Sequence, residues 1–147
     1  MSGYLVDTCA ISEFAKPRPN LGVVAWFART ELSMLYLSAI TIGELRYGVA
    51  LLDDLRKRES LERWLATEIL SEFEGRILSV DVDCADMWGQ VRARAKIARK
   101  PIPVLDGLLA ATALQHNLSI VTRNEDDFTR AGAHVVNPWI GEAASGA

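Results

Sequence analysis

The chain has 147 residues, half of them apolar and 24% charged, with 5 Pro and 10 Gly, which excludes disorder, collagen-like repeats and a disulfide-stapled mini-protein. The length suits one domain that buries roughly 68–70% of its unfolded surface. Lys plus Arg number 16 against 19 Asp plus Glu, a formal charge of −3, so no global field draws the chain onto nucleic acid and any polyanion must be held locally.

The opening Met1-Ser2-Gly3-Tyr4-Leu5-Val6-Asp7 has neither the basic region nor the apolar run of a signal peptide, and no stretch approaches a membrane span. A cytoplasmic protein with no membrane partner is expected. Tyr4–Val6 reads as a first short strand, with Asp7 at its end and a helix beginning near Thr8. Leu21 to Ala28 is an apolar run carrying Trp26 and Phe27, which suits either a core helix or the wall of a groove for a partner's helix. Met34–Leu37 is a second strand, and Thr41 through Leu52 a helix with Ile42, Leu45, Val49 and Leu52 on one stripe. Leu61–Phe73 and Met87–Ile97 also repeat with a helical period, and Ile77–Val80 between them reads as a third strand. Leu105–Leu114 is apolar nearly all round, as a helix packed deep against a sheet would be. Ser119–Val121 and His134–Val136 complete the strands. Residues 1–140 read as one domain and 141–147 as a small-residue tail.

Strands alternating with helices predict an α/β three-layer, Rossmann-like domain, with a mainly parallel central sheet covered by helices on both faces. Ligands of such sheets gather outside the carboxyl ends of the strands. Asp7 ends the first strand, Glu44 lies one helical turn beyond the second, Asp126 and Asp127 follow Thr122-Arg123-Asn124 after the fourth, and Asp106 opens the apolar helix. Each also has a structural reading. Asp7 and Asp106 can cap helices, Thr41-Ile42-Gly43-Glu44 has the form of a capping box, and Asp126 and Asp127 suit a solvated loop. Jointly they favour a site, because no Lys or His is written into these motifs to neutralise them. Crowded carboxylates either take up a proton or bind a cation, and an all-oxygen set suits Mg²⁺ or Mn²⁺.

A divalent ion with open positions polarises a phosphoryl oxygen and activates water, so phosphodiester hydrolysis is the natural chemistry. No Gly-x-Ser-x-Gly elbow, Walker loop or Gly-x-Gly-x-x-Gly appears, and His116 and His134 read as surface residues. Cys9 and Cys84 lack metal-ligand spacing and read as small buried apolar residues.

The segments Leu5-Val6-Asp7-Thr8-Cys9-Ala10-Ile11-Ser12-Glu13, Leu37 through Gly48, Asp106-Gly107-Leu108-Leu109-Ala110-Ala111-Thr112-Ala113, Val121-Thr122-Arg123-Asn124, Asp127-Phe128 and Asn137-Pro138-Trp139 together resemble the PIN-domain ribonucleases. Within them they are similar to VapC-type toxins of type II toxin–antitoxin pairs, close to the FitB-like branch. The resemblance implies a Mg²⁺- or Mn²⁺-dependent endoribonuclease whose three acids, which would hold the metal, correspond to Asp7, Glu44 and Asp106. It also implies a homodimer and a small VapB/FitA-like antitoxin that blocks the active site. Heterotetramers or larger assemblies would follow, touching DNA only through the antitoxin. Where some relatives carry a fourth acid after Thr-Arg, this chain has Asn124, so the fourth polar role lies between Asn124 and Asp127.

Thr122, Arg46 and Arg123, nearest the acids in sequence, are the expected substrate contacts. The densest basic stretch, Arg92, Arg94, Lys96, Arg99 and Lys100, suits either a solvated helical face or extra phosphate contacts. The four Trp residues are expected as core or interface filling. Two other functions fit parts of the pattern. An aspartyl phosphatase would want Asp-x-Asp, but Cys9 stands at its second acid, and an idle PIN-fold binding protein is supported only by Asn124.

Overall fold

The computed structural model describes residues 3–140. The expected tail at 141–147 lies outside the described residues. Five strands, β1 (Tyr4–Val6), β2 (Leu35–Ser38), β3 (Ile77–Leu78), β4 (Ser119–Val121) and β5 (Val135–Val136), form one parallel sheet in the order β3-β2-β1-β4-β5. Around it lie α1 (Thr8–Ile11), α2 (Leu21–Ala28), α3 (Ala39–Ala50), α4 (Leu55–Trp64), α5 (Val82–Ile97), α6 (Val104–His116) and α7 (Glu125–Arg130).

Alternation along the strands builds the three layers. Successive strand residues point to opposite faces, so Val6 and Val121 join one apolar cluster while Leu5 and Ile120 join the other. The first cluster gathers Ile11, Trp26, Leu35, Leu37, Leu45, Leu65, Ile69 and Phe73 beneath α1, α2, α3 and the chain after α4. The second packs Leu109, Ala110 and Ala113 of α6 and Phe128 of α7 against the opposite face. Phe128 is fully buried, and truncating such a ring costs about 3–5 kcal/mol, so it anchors the helix that carries Asp127. The small residues Ala110, Ala111 and Ala113 let α6 lie close on the sheet, as its all-round apolar character predicted.

The strand order steps outward from β1 in both directions, so the chain reverses sheet direction between β1 and β4. In open α/β sheets a crevice forms at the carboxyl ends of such a pair. Asp7 and Thr122 are the first residues beyond those two strands.

The expected elements exist with shifted bounds. Met34 belongs to a 3₁₀ turn rather than to β2, and β3 and β5 are each two residues long. α3 begins earlier than expected, directly after β2, because the Ser38 hydroxyl accepts the Ile40 N–H at 3.0 Å and caps it. The helix expected from Leu61 starts at Leu55 under an Asp54 cap and widens into a π-helical turn at Leu65–Leu70. α5 starts at Val82 under an Asp81 cap. Asp126 and Asp127, read as loop charges, lie on α7. Trp26 is a core residue, edge-on to Tyr4 and Phe27, which decides for the core-helix reading of the run from Leu21. Both His116 and His134 are on the surface.

Candidate active site

Asp7 is held from three sides. Its backbone N–H donates to Val121 O at 3.0 Å, which ties it to the β1–β4 ladder. One carboxylate oxygen accepts the Thr8 N–H at 2.7 Å and caps α1, and the other accepts the Thr122 hydroxyl at 2.7 Å. The cap and the candidate metal ligand are therefore one residue. Thr122, expected beside the substrate, is fully buried and also accepts the Asn124 N–H at 3.0 Å. It has no surface to offer a substrate, so it braces Asp7 instead.

Glu44 lies on α3, where the Thr8 hydroxyl donates to its Oε1 at 2.6 Å and lies 3.1 Å from Thr41 Oγ1. Thr41 is fully buried inside the helix, so Thr41 to Glu44 is not a capping box and Ser38 is the cap. Arg46 departs from its expected place. It is exposed, with its guanidinium 3.9 Å from Glu62 of α4, and does not line the acid pocket.

Asp106 stands in the first turn of α6, whose N-cap, Pro103, has no side-chain acceptor to cap with. Its Oδ2 accepts from Asn124 Nδ2 at 3.1 Å. Burial, then the charges of Asp7, Asp127 and Glu44, and a hydrogen bond with Asp127 push its carboxyl up to about 6. Three acids therefore act on Asp106, which is crowding of the kind that the strand-end positions suggested.

Asn124 and Asp127 divide the fourth position between them. Asn124 lines the pocket and donates its second amide hydrogen to Asp127 Oδ2 at 3.1 Å. Asp127 sits behind, paired through its other oxygen with Arg130, one turn along α7. No Lys or His is written into these motifs, but the helical spacing that the loop reading missed supplies Arg130 as a partner for Asp127. Asp126 is exposed and only 3.8 Å from the same Arg130.

Asp7, Glu44 and Asp106 share one open cleft of about 530 Å³ with Thr8, Cys9, Ser12, Arg123 and Asn124. Thr8, Cys9 and Ser12 were legible only as parts of the resembling segment. Cys9, expected as apolar filling, is on the pocket wall, its sulfur 3.5 Å from Asp7 Oδ2 and 3.5 Å from Thr122 Oγ1. Burial and the Asp7 charge push its thiol up, which keeps it protonated and a poor nucleophile. Cys84 is buried as expected, with its sulfur 3.3 Å from Thr112 Oγ1.

No group of three His, Cys, Asp or Glu side chains among the described residues forms a ready-made metal cage. Mg²⁺ needs none, since it takes one or two carboxylates directly and fills its octahedron with water. The all-oxygen donors and their mutual repulsion fit such an ion.

A second cleft, of about 560 Å³, is lined by Arg92 and Lys96 of α5 together with Pro101, Ile102 and Val104. It is the larger, but it holds no carboxylate. Chemistry rather than volume selects the acid pocket. Of the basic stretch, Arg92 lies over the Trp88 ring at 4.8 Å, and Lys100 gives its carbonyl to Arg130.

Residues 4–133 match the family model described as PIN domain. The chain is 47% identical over 135 residues to Toxin FitB of Neisseria gonorrhoeae, covering 92% of this chain and 97% of that protein. It is 38% identical over 135 residues to VapC ribonuclease Y4jK of Sinorhizobium fredii, with coverage of 92% and 96%. The crystal structure of FitAcB from Neisseria gonorrhoeae superposes with a TM-score of 0.90 at 46% identity, covering 92% of this chain and 98% of that one.

Proposed function

The chain belongs to the PIN-domain family, and from that premise we propose that it is the toxin of a toxin–antitoxin pair, a Mg²⁺- or Mn²⁺-dependent endoribonuclease. One observation carries the chemistry: Asp7, Glu44 and Asp106, from three separate segments, share a single open cleft in which Asp106 is poorly stable as an anion.

In this reading Asp7 and Asp106 would hold the ion, with Glu44 beside them. A bound cation would supply a Lewis acid for the phosphoryl oxygen and lower the pKa of a water for attack. The chain's own groups do the rest. Thr122 and the Thr8 N–H fix Asp7, the Thr8 hydroxyl fixes Glu44, and Asn124 steadies Asp106. Arg123, the cation lining the cleft, meets substrate phosphate and offsets the repulsion between an acidic pocket and RNA. Asn124 rather than Asp127 fills the fourth role, because Asn124 lines the cleft, whereas Asp127 is outside its lining and is paired with Arg130.

The partners proposed are an RNA substrate, a VapB/FitA-like antitoxin that occludes the pocket and a second copy of the chain. With a net charge of −3 the chain has no field of its own for DNA, so DNA is reached through the antitoxin. The site of action is the cytoplasm, and no helix among the described residues is long and apolar enough to cross a membrane.

Purified protein freed of antitoxin tests the reading. It should cleave RNA with Mg²⁺ or Mn²⁺, stop in EDTA, and lose activity in Asp7→Asn and Asp106→Asn. Full activity in both variants, or cleavage indifferent to EDTA, would contradict it.

A further inference from the structure

Arg123 lines a cleft that holds three carboxylates, yet among the described residues its guanidinium forms no ion pair with Asp7, Glu44 or Asp106. An exposed Arg on a flexible stem beside three acids is drawn into them by charge. Something else holds this one. Its guanidinium lies over the indole of Trp139, 5.0 Å from the ring centroid, and the charge of buried Glu13 also attracts it.

The indole is itself a firm platform. The backbone N–H of Trp139 donates to Asn137 Oδ1 at 3.0 Å, while Asn137 Nδ2 donates to Glu125 Oε2 at 2.8 Å, so the Asn137 side chain ties the closing segment that carries the indole to the start of α7. Pro138 is buried against the start of α2, where a Cβ on Gly22 would stand 2.4 Å from Pro138 O. Only glycine allows that approach. The ring packs on the first apolar cluster.

We propose that Trp139 is a positioning residue that holds the Arg123 guanidinium at the rim of the acid pocket, where it is free for an RNA phosphate and kept from neutralising the acids. The inference rests on the reading of the pocket as an RNA-cleaving site and adds a residue that the sequence placed only among core and interface fillers. Without the indole, Arg123 collapses onto the acids, which weakens RNA binding and makes the guanidinium a competitor of the divalent ion.

The test compares the wild type, Trp139→Leu, Arg123→Ala and the double variant in two measurements. The first is affinity for a single-stranded RNA in EDTA, and the second is the Mg²⁺ concentration that half-saturates thermal stabilisation. Trp139→Leu should weaken RNA binding by about two- to five-fold, the worth of one exposed cation–π contact, and raise the Mg²⁺ requirement by a similar factor. Arg123→Ala should lower the salt slope of RNA binding by about 0.7, one phosphate on a single strand. In the double variant the RNA loss should be no greater than in Arg123→Ala, and the Mg²⁺ requirement should return to the wild-type value.

That rescue is something a merely structural Trp139 would not produce. Equal losses from Trp139→Leu in both backgrounds, or none in either, would overturn the proposal. Should Trp139→Leu not fold, the wild-type protein and Trp139→Phe decide by NMR. An Arg123 Hε resonance shifted upfield by the ring current in the wild type supports the platform, and one at its solvent-exposed position overturns it. If the wild type binds and cleaves no RNA, the functional reading fails, while the Arg123 resonance and the Mg²⁺ rescue still judge the platform.

Discussion

The two walls of the acid pocket present the same functional group under opposite conditions. On the wall built by β1, α1 and β4, Asp7 is 8% exposed and is supplied with a backbone N–H and a hydroxyl. On the wall built by α6 and α7, Asp106 faces Asp7, Asp127 and Glu44 and is offered one amide, from Asn124. Buried polar groups are stable when satisfied and costly when crowded by like charge. The first wall therefore supports its carboxylate and the second crowds it: Asp7 helps to hold the protein together, whereas Asp106 strains it, a strain that the proposed cation would relieve.

The largest effects should break both walls alike. Asp7→Asn and Asp106→Asn should each reduce RNA cleavage by at least about 100-fold, the loss typical of removing one preorganised electrostatic group, in initial-rate measurements at saturating Mg²⁺. Thr122→Val should separate positioning from chemistry. It removes a buried hydroxyl that serves both Asp7 and the Asn124 N–H, at a cost of about 1–3 kcal/mol in denaturant unfolding, with a fall in cleavage rate although no metal donor has been deleted.

Stability without metal then sharpens the contrast. In EDTA, Asp7→Ala should lose about 1–2 kcal/mol, because it removes the cap of α1 and leaves Thr122 without its acceptor. Asp106→Asn should gain about 1 kcal/mol, allowing for solvent screening of a partly exposed carboxyl. If both variants lose stability to the same degree, the two walls do not differ as described.

The pH dependence follows from the same asymmetry. Between its ordinary value of 3.8 and about 6, the folded protein keeps a proton on Asp106 that the unfolded chain has released. That contribution is complete below the unfolded value and is lost as pH rises through about 6. In EDTA, the melting difference between wild type and Asp106→Asn should therefore widen from pH 4 to pH 7. With metal, the Mg²⁺ requirement should rise as pH falls below about 6, since the ion must displace that proton. The smallest effect is expected of Arg46→Ala, with cleavage within about threefold of wild type, as a group outside the pocket and screened by solvent contributes little.

The acids were legible in the sequence because strand ends and the entry of an apolar helix are positional features that a parallel sheet brings to one edge. Their support was not. Nothing in the letters says that the Thr122 hydroxyl turns inward to Asp7, or that Thr8 reaches Glu44 across 36 positions. Arg46 was misplaced by sequence proximity. Two residues beyond Glu44 on a helix is more than half a turn around it, so neighbours in the chain are not neighbours on the surface. Asp127 was misread for the converse reason: once α7 is a helix, the spacing of Asn124, Asp127 and Arg130 by three puts them on one face. The first turn of α3 shows the same limit: Thr41 has the form of a cap in the letters, but β2 ends at Ser38, which takes that role and leaves Thr41 buried inside the helix.

The central claim is that Asp106 and its neighbours are crowded until a divalent ion joins them. Thermal melting of the wild type and of Asp106→Asn across a Mg²⁺ titration at pH 7 addresses it most directly. A site that binds only the folded state should raise the wild-type midpoint progressively with Mg²⁺, while Asp106→Asn starts higher in EDTA and responds weakly. A wild-type midpoint indifferent to Mg²⁺ and Mn²⁺, or an Asp106→Asn protein less stable than wild type in EDTA, would contradict the account.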